Sequence, residues 1–324
     1  MHVVFVSDVD PHLADARTEG IMKTWGARAA QVVFVAIAHT DPKTGKLVRA
    51  HWRATAAGET VLTPPAELGA DRNKQCFWAM RAVFERWGDL GGGAALGWFA
   101  FSNDNVFWLE ENLTAWLGGV GAQPASLETE PLFLGHRLKD GGGTLFNSGP
   151  MFVLSVAALR LLLEQLGPHS QAACRARSGL GLDLLVAECL REGGVAPRDT
   201  RDAAGGERFN AFGPVRSARG DVHSWYQDYS RAATGADLHK GVACCAADAV
   251  AFHYVERAEA LAMDALLHRR PPFEKADALT PAQLTALWPS DWNVIGGYSA
   301  QVEPVKDAHD GVWDLLLRKI KLAQ

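Results

Sequence analysis

The 324-residue chain has no apolar run of about 18 residues or more, so nothing in it reads as a membrane-spanning helix. It also lacks any excess of basic charge. The 32 Lys and Arg residues face 37 Asp and Glu residues, a formal net charge of −5, which leaves no electrostatic footprint for a nucleic-acid partner. Cysteine is scarce: the five residues are Cys76, Cys174, Cys189, Cys244 and Cys245. No second Cys or His pair stands at ligand spacing, which argues against a zinc site. On composition alone these cysteines read as reduced, mostly buried thiols. There is no internal repeat and no long low-complexity tract. A signal-peptide pattern is missing too, because His2-Val3-Val4-Phe5-Val6-Ser7 enters directly into a strand-like run. The chain therefore reads either as cytosolic or as a domain without its targeting segment.

What is present suffices for folding. With 48% hydrophobic residues the chain buries one large core or two modest ones. Residues 3–7 and 31–38 are short Val- and Phe-rich runs separated by a helical segment, an order that predicts a parallel α/β sheet. A loop over 63–71, with Pro64-Pro65, leads to a predicted helix over 75–87 carrying Phe77, Met80, Ala82, Val83 and Phe84 on its apolar side. Gly91–93 punctuates it before an apolar strand over 94–101, which ends in Ser102-Asn103-Asp104-Asn105. Further helices are expected over 109–117, 156–166 and 182–192, and strands over 132–135, 151–154 and 249–255. Residues 196–236 are polar and read as surface loops, and the remainder, with Trp288, Trp292 and Trp313, as helix and loop. In a parallel sheet, polar residues at the C-terminal end of a strand are where ligands bind. That singles out residues 102–105.

Several segments then resemble one family in a common order. Trp98-Phe99-Ala100-Phe101-Ser102-Asn103-Asp104-Asn105-Val106-Phe107, followed by Glu111-Asn112-Leu113, is similar to the segment with three consecutive aspartates in the β1,3-glycosyltransferases that include core 1 galactosyltransferase and Fringe (glycosyltransferase family 31). Leu134-Gly135-His136-Arg137-Leu138-Lys139 resembles the Gly-Arg-Arg-Phe-Lys stretch of that family, and Asn147-Ser148-Gly149 with Phe152-Val153-Leu154-Ser155 its Ser-Gly-Gly strand. Asp183-Leu184 resembles its Glu-Asp-Leu helix, and Asp199-Thr200-Arg201-Asp202 its Asp-Ser-Arg-Asp turn. Glu207-Arg208-Phe209-Asn210-Ala211-Phe212 is similar to Phe-His-Pro-Phe. Cys244-Cys245, Asp248 and Phe252-His253-Tyr254-Val255 are similar to Cys-Cys-Ser-Asp and Phe-His-Tyr-Val. Lys23-Thr24-Trp25 and the stretch from Gln75 to Trp78 also have counterparts. The likeness runs from about residue 2 to about residue 260.

The resemblance implies a GT-A (Rossmann-like) α/β fold in a single domain with an irregular C-terminal half. The domain spans 1–260, with a nucleotide-sugar half to about 140 and an acceptor half over 141–260, before a helical and loop extension over 261–324. It implies an inverting hexosyltransferase that moves galactose, or a related hexose, from a UDP-sugar to an O-linked GalNAc-type glycoprotein acceptor with Mn2+ in the Golgi or secretory lumen. A homodimer is admitted. Inverting transfer needs a base for the acceptor hydroxyl and positive charge for the leaving diphosphate. Asp183 matches the family's base position; a solvated helix carboxylate is the alternative. Asn103, Asp104, Asn105, Trp78 and Gly149 match positions around the nucleotide sugar, and Trp225 and Tyr226 echo an aromatic stretch near the acceptor. Asp104 and His253 are the candidate metal ligands, with a hydrogen-bonded strand-end histidine as the alternative for His253. Cys174 and Cys189 match a family disulfide, and Asn112-Leu113-Thr114 is a glycosylation sequon.

The departures from the family concern charge. The outer two positions of the aspartate motif are the amides Asn103 and Asn105, which can ligate a hard cation but do not offset its charge. If the segment turns instead of running extended, Asp104 can substitute. The family's Glu beside the base is Leu182, its Lys after the Trp is Ala79, and its Phe-His-Pro His is Asn210, followed by Val215-Arg216-Ser217 in place of a His pair. A family chaperone homologue has also lost the aspartates. That keeps open a catalytically inactive relative that binds an active transferase.

Overall fold

The computed structural model describes residues 1–8, 10–52, 60–86, 97–120, 128–167, 170–176, 179–268 and 319–323. Strand β1 (His2–Val6) is apolar almost throughout because both of its faces are covered. Val4 and Val6 enter one core layer while Val3 and Phe5 enter the other. Helix α1 (Pro11–Lys23) starts where the Asp10 carboxylate accepts the His12 N–H at 2.9 Å, with Pro11 in the first turn. Strand β2 (Val32–Ala36) returns beside β1, a small hairpin follows (β3, Ala38–Thr40; β4, Leu47–Arg49), and β5 (Thr60–Leu62) adds to β2. Helix α2 (Arg72–Arg86) then leads across to β6 (Trp98–Asn103), on the other side of β1.

A tight turn joins β6 to β7 (Val106–Trp108), followed by α3 (Glu110–Val120), a long hairpin of β8 (Phe133–Lys139) and β9 (Leu145–Ser155), α4 (Val156–Gln165) and α5 (Leu182–Glu192). The last described elements are β10 (Phe209–Asn210), α6 (Pro214–Arg219), α7 (Ser224–Thr234), β11 (Ala251–His253) and α8 (Arg257–His268). The central sheet has six strands in the order β5-β2-β1-β6-β9-β8. The first four run parallel, and β9 runs antiparallel to both β6 and β8. The protein is thus α/β with a mixed, mostly parallel central sheet, compatible with a Rossmann-like fold. The chain moves outward from β1 through β2 to β5 and then crosses back to β6. The β1/β6 boundary is therefore a switch point, and its crevice lies at the C-terminal ends of those two strands.

Several expectations need correction. Residues 196–236 are not all surface loop: α6 and α7 lie there, and α7 buries Tyr226 and Ser230 against β8. Their boundary signals are a Pro at the start of α6 and left-handed glycines, Gly220 and Gly235, one after each helix. Strand β9 is longer than the four residues over 151–154, because it runs past the end of β6 and pairs there with β8. Four of the five cysteines are not reduced thiols: Cys174 bonds Cys189, Cys244 bonds Cys245, and only Cys76 is free and buried.

The sequon is not a free surface site either. Asn112 is 2% exposed, its amide donates to the Ala249 carbonyl at 2.9 Å, and its oxygen accepts the Ala323 N–H at 2.8 Å. Residues 319–323 dock here, with Ile320 buried and the Lys319 ammonium donating to the Val242 and Cys245 carbonyls. Gly91–93, Trp288, Trp292, Trp313 and most of the 261–324 extension lie outside the described residues. No helix among the described residues is long and apolar enough to cross a membrane.

Candidate functional site

The groups of interest reach the crevice from several elements. Asn103 ends β6, and the chain turns at Asp104-Asn105 instead of continuing extended. The turn aims Asp104 inward, where it is 4% exposed and its Oδ1 lies 3.6 Å from Nη1 of Arg17 on α1. Arg17 is a hub. It forms a two-pronged pair with Glu256, at 2.9 Å from Nε and 2.7 Å from Nη2, and reaches Asp8 beyond β1 at 3.5 Å. Burial opposes its charge, yet Glu256, Asp104 and Asp8 together raise its pKa.

One cation thus faces three carboxylates. The Asp104 carboxyl is pushed up to about 6, chiefly by burial, with Arg17 pulling the other way and Glu256 and Asp8 adding repulsion. Its Oδ2 and the Asn105 side-chain oxygen are buried without hydrogen-bond partners.

The second half of the crevice comes from Arg72, β9 and α5. Arg72, the first residue of α2, donates from Nη2 to the Asn103 side-chain oxygen at 2.5 Å. Beyond the end of β6, β9 carries Gly149 with φ +64°, a left-handed conformation that glycine adopts without strain. The Gly149 N–H donates to Asp183 Oδ2 at 3.1 Å. Asp183 Oδ1 accepts the Leu184 N–H at 2.9 Å in the first turn of α5. Gly181 precedes that turn because a Cβ there would meet Asp183 Oδ1 at 2.5 Å. Burial raises the pKa of Asp183, against the backbone N–H groups of Leu184 and Gly149 and the charge of Arg72. Each carboxylate oxygen keeps a further lone pair for a ligand proton.

His253 closes the group from β11, opposite Val106 in β7. A Cβ on Gly149 would lie 3.5 Å from its Cε1. Its Nε2 is buried and unpartnered, and its pKa falls to about 3, first through burial and then through Arg17 and Arg72. At neutral pH the ring is uncharged. Tyr254 follows with φ +58°, the one non-glycine residue with positive φ among the described residues. Its ring stacks on His253 at 3.9 Å and on Phe212 at 6.1 Å, and the side chain is 54% exposed. A left-handed backbone is strained at a residue with a Cβ, and such residues cluster at ligand clefts.

Asn103, Asp104, Gly149, Asp183 and His253, named from the sequence, are therefore brought together, with Asn105 alongside. Trp225 is 52% exposed and extends the aromatic run toward Phe212 and Tyr254 through Tyr226. Tyr226 itself is 3% exposed between His136 and Phe212, packed behind that run. Trp78 packs on the core side of α2, and among the described residues no hydrogen bond or ring contact ties it to the crevice. Arg17, Arg72, Glu256 and Tyr254 were missed as site residues. An Arg at a helix start shortly after a strand, as at Arg72, is the signal that could have found one of them.

The donor set does not suit manganese. Asp104 Oδ1 faces Arg17, and the Asn103 oxygen is taken by Arg72. Among the described residues no three His, Cys, Asp or Glu side chains converge as a metal set. The Arg17 guanidinium stands where the cation's charge would be needed, and among the described residues no carboxylate pairs with His253 to complete a site. No family model matches the chain.

Proposed function

We propose that the protein is an inverting hexosyltransferase of GT-A type, moving galactose or a related hexose from a UDP-sugar to an O-linked GalNAc-type glycoprotein acceptor. The observation that carries this reading is the convergence of Asp183 with the polar tip of β6. Arg72 bonds Asn103, and its charge reaches Asp183, which is itself tied to Gly149. A carboxylate and a guanidinium thus flank one crevice at the switch point of a parallel sheet.

In the reaction, Asp183 accepts the proton of the acceptor hydroxyl. The hydroxyl oxygen forms a bond to the anomeric carbon, and the bond from that carbon to the diphosphate oxygen breaks, its electron pair leaving with the diphosphate. A single displacement inverts the configuration. Burial raises the basicity of Asp183 toward the working range of a general base, while the Gly149 and Leu184 N–H groups hold its orientation. Trp225 and Tyr254 offer exposed aromatic faces for the C–H surface of an acceptor sugar. A lumenal setting agrees with the Cys174–Cys189 disulfide.

The test is release of UDP from UDP-galactose with an α-GalNAc peptide. Asp183→Asn is expected to lower turnover by about 10²- to 10⁴-fold while UDP binding persists. Unchanged turnover in that variant, or a wild-type chain that neither binds UDP nor releases it, rules the reading out. A second reading, a non-catalytic partner of an active transferase, is favoured by the neutralised Asp104. It requires no nucleotide affinity and co-purification with a transferase.

A further inference from the structure

We infer that Arg72, and not a divalent cation, binds the diphosphate of the nucleotide sugar in this crevice. The inference rests on the transfer reading above and adds the group that receives the leaving diphosphate.

Three observations lead to it. First, the carboxylates that would attract a cation are already occupied. Asp8, Asp104 and Glu256 all converge on Arg17, which leaves that guanidinium no net charge to offer a ligand. Second, Arg72 is in the opposite condition. It makes no ion pair among the described residues, and its Nε is buried with no hydrogen-bond partner. Third, the residue that holds it is an amide. The Asn103 oxygen fixes the guanidinium at 2.5 Å without neutralising it, whereas an aspartate there would quench the charge. The amide that weakens a metal motif thus suits a guanidinium that keeps its full charge.

A planar guanidinium matches two phosphate oxygens in a fork geometry that an ammonium cannot reproduce.

The experiment is calorimetric titration of UDP into the full chain, once in EDTA and once in excess Mn2+. The expected dissociation constants agree within about threefold. Arg72→Gln is expected to weaken binding about 10- to 100-fold in EDTA, the range for losing a charge-assisted contact. Arg72→Lys keeps the charge and loses the fork, so it should fall between the two, and it serves if the Gln variant does not fold. Both variants are first compared with wild type by thermal melting. Binding that appears only with Mn2+ overturns the inference and leaves the transfer reading standing. Wild-type affinity in a folded Arg72→Gln or Arg72→Lys variant overturns it as well. No UDP binding under either condition removes the transfer reading, and this inference with it.

Discussion

Asp104 is the most exacting place to test the electrostatics of the crevice. Its carboxyl rises from an ordinary 3.8 to about 6 because burial outweighs Arg17, with Glu256 and Asp8 adding repulsion. That rise corresponds to about 3 kcal/mol by which the folded protein disfavours the ionised group. The sign follows from linkage. Below the unfolded value both states are protonated, and the penalty is absent. As pH climbs between 3.8 and about 6 the unfolded chain releases its proton first, so this group's contribution to stability is lost across that window. Above it the full penalty applies.

Asp104→Asn removes the titration and keeps the shape, while Arg17 retains Glu256 and Asp8. Urea unfolding of both proteins, followed by tryptophan fluorescence, should therefore show a stability gap that changes with pH. The variant is expected to gain about 3 kcal/mol relative to wild type between about pH 3.5 and about pH 7. A gap constant over that range, or one that moves toward the wild type, refutes the assignment of a buried, disfavoured carboxylate.

Three further expectations follow from single contacts. Removing the Cys174–Cys189 bridge, which closes a loop of 15 residues, should lower stability by about 3 kcal/mol, and reductant should lower the wild-type melting temperature. Asn112 should carry no glycan when the protein is made in a secretory host, as checked by intact mass. Asn112→Ala should cost about 1–3 kcal/mol in chemical unfolding, because the Ala249 carbonyl and the Ala323 N–H both lose their partner. If Asp183 is the base, the acid limb of kcat/KM should lie above the ordinary carboxylate range, in keeping with its raised pKa. A limb at or below that range argues for a different base.

The parallel core was legible in the chain itself. Val- and Phe-rich runs without alternation can be buried only on both faces, and the helix between them forces a crossover connection, so β1, β2 and β6 followed from pattern alone. The polar end of β6 marked the crevice for the same reason. Other features needed the folded chain. Whether residues 103–105 ran straight or turned depended on β7 pairing with β11, a contact between residues far apart in sequence. That pairing set Asp104 against Arg17 and His253 beside Gly149. Arg17 and Glu256 went unnamed because nothing local in sequence distinguishes a solvated ion from one drawn into a shared crevice. Pattern records what each segment must bury, whereas the electrostatics of a site depend on which distant segments arrive there together.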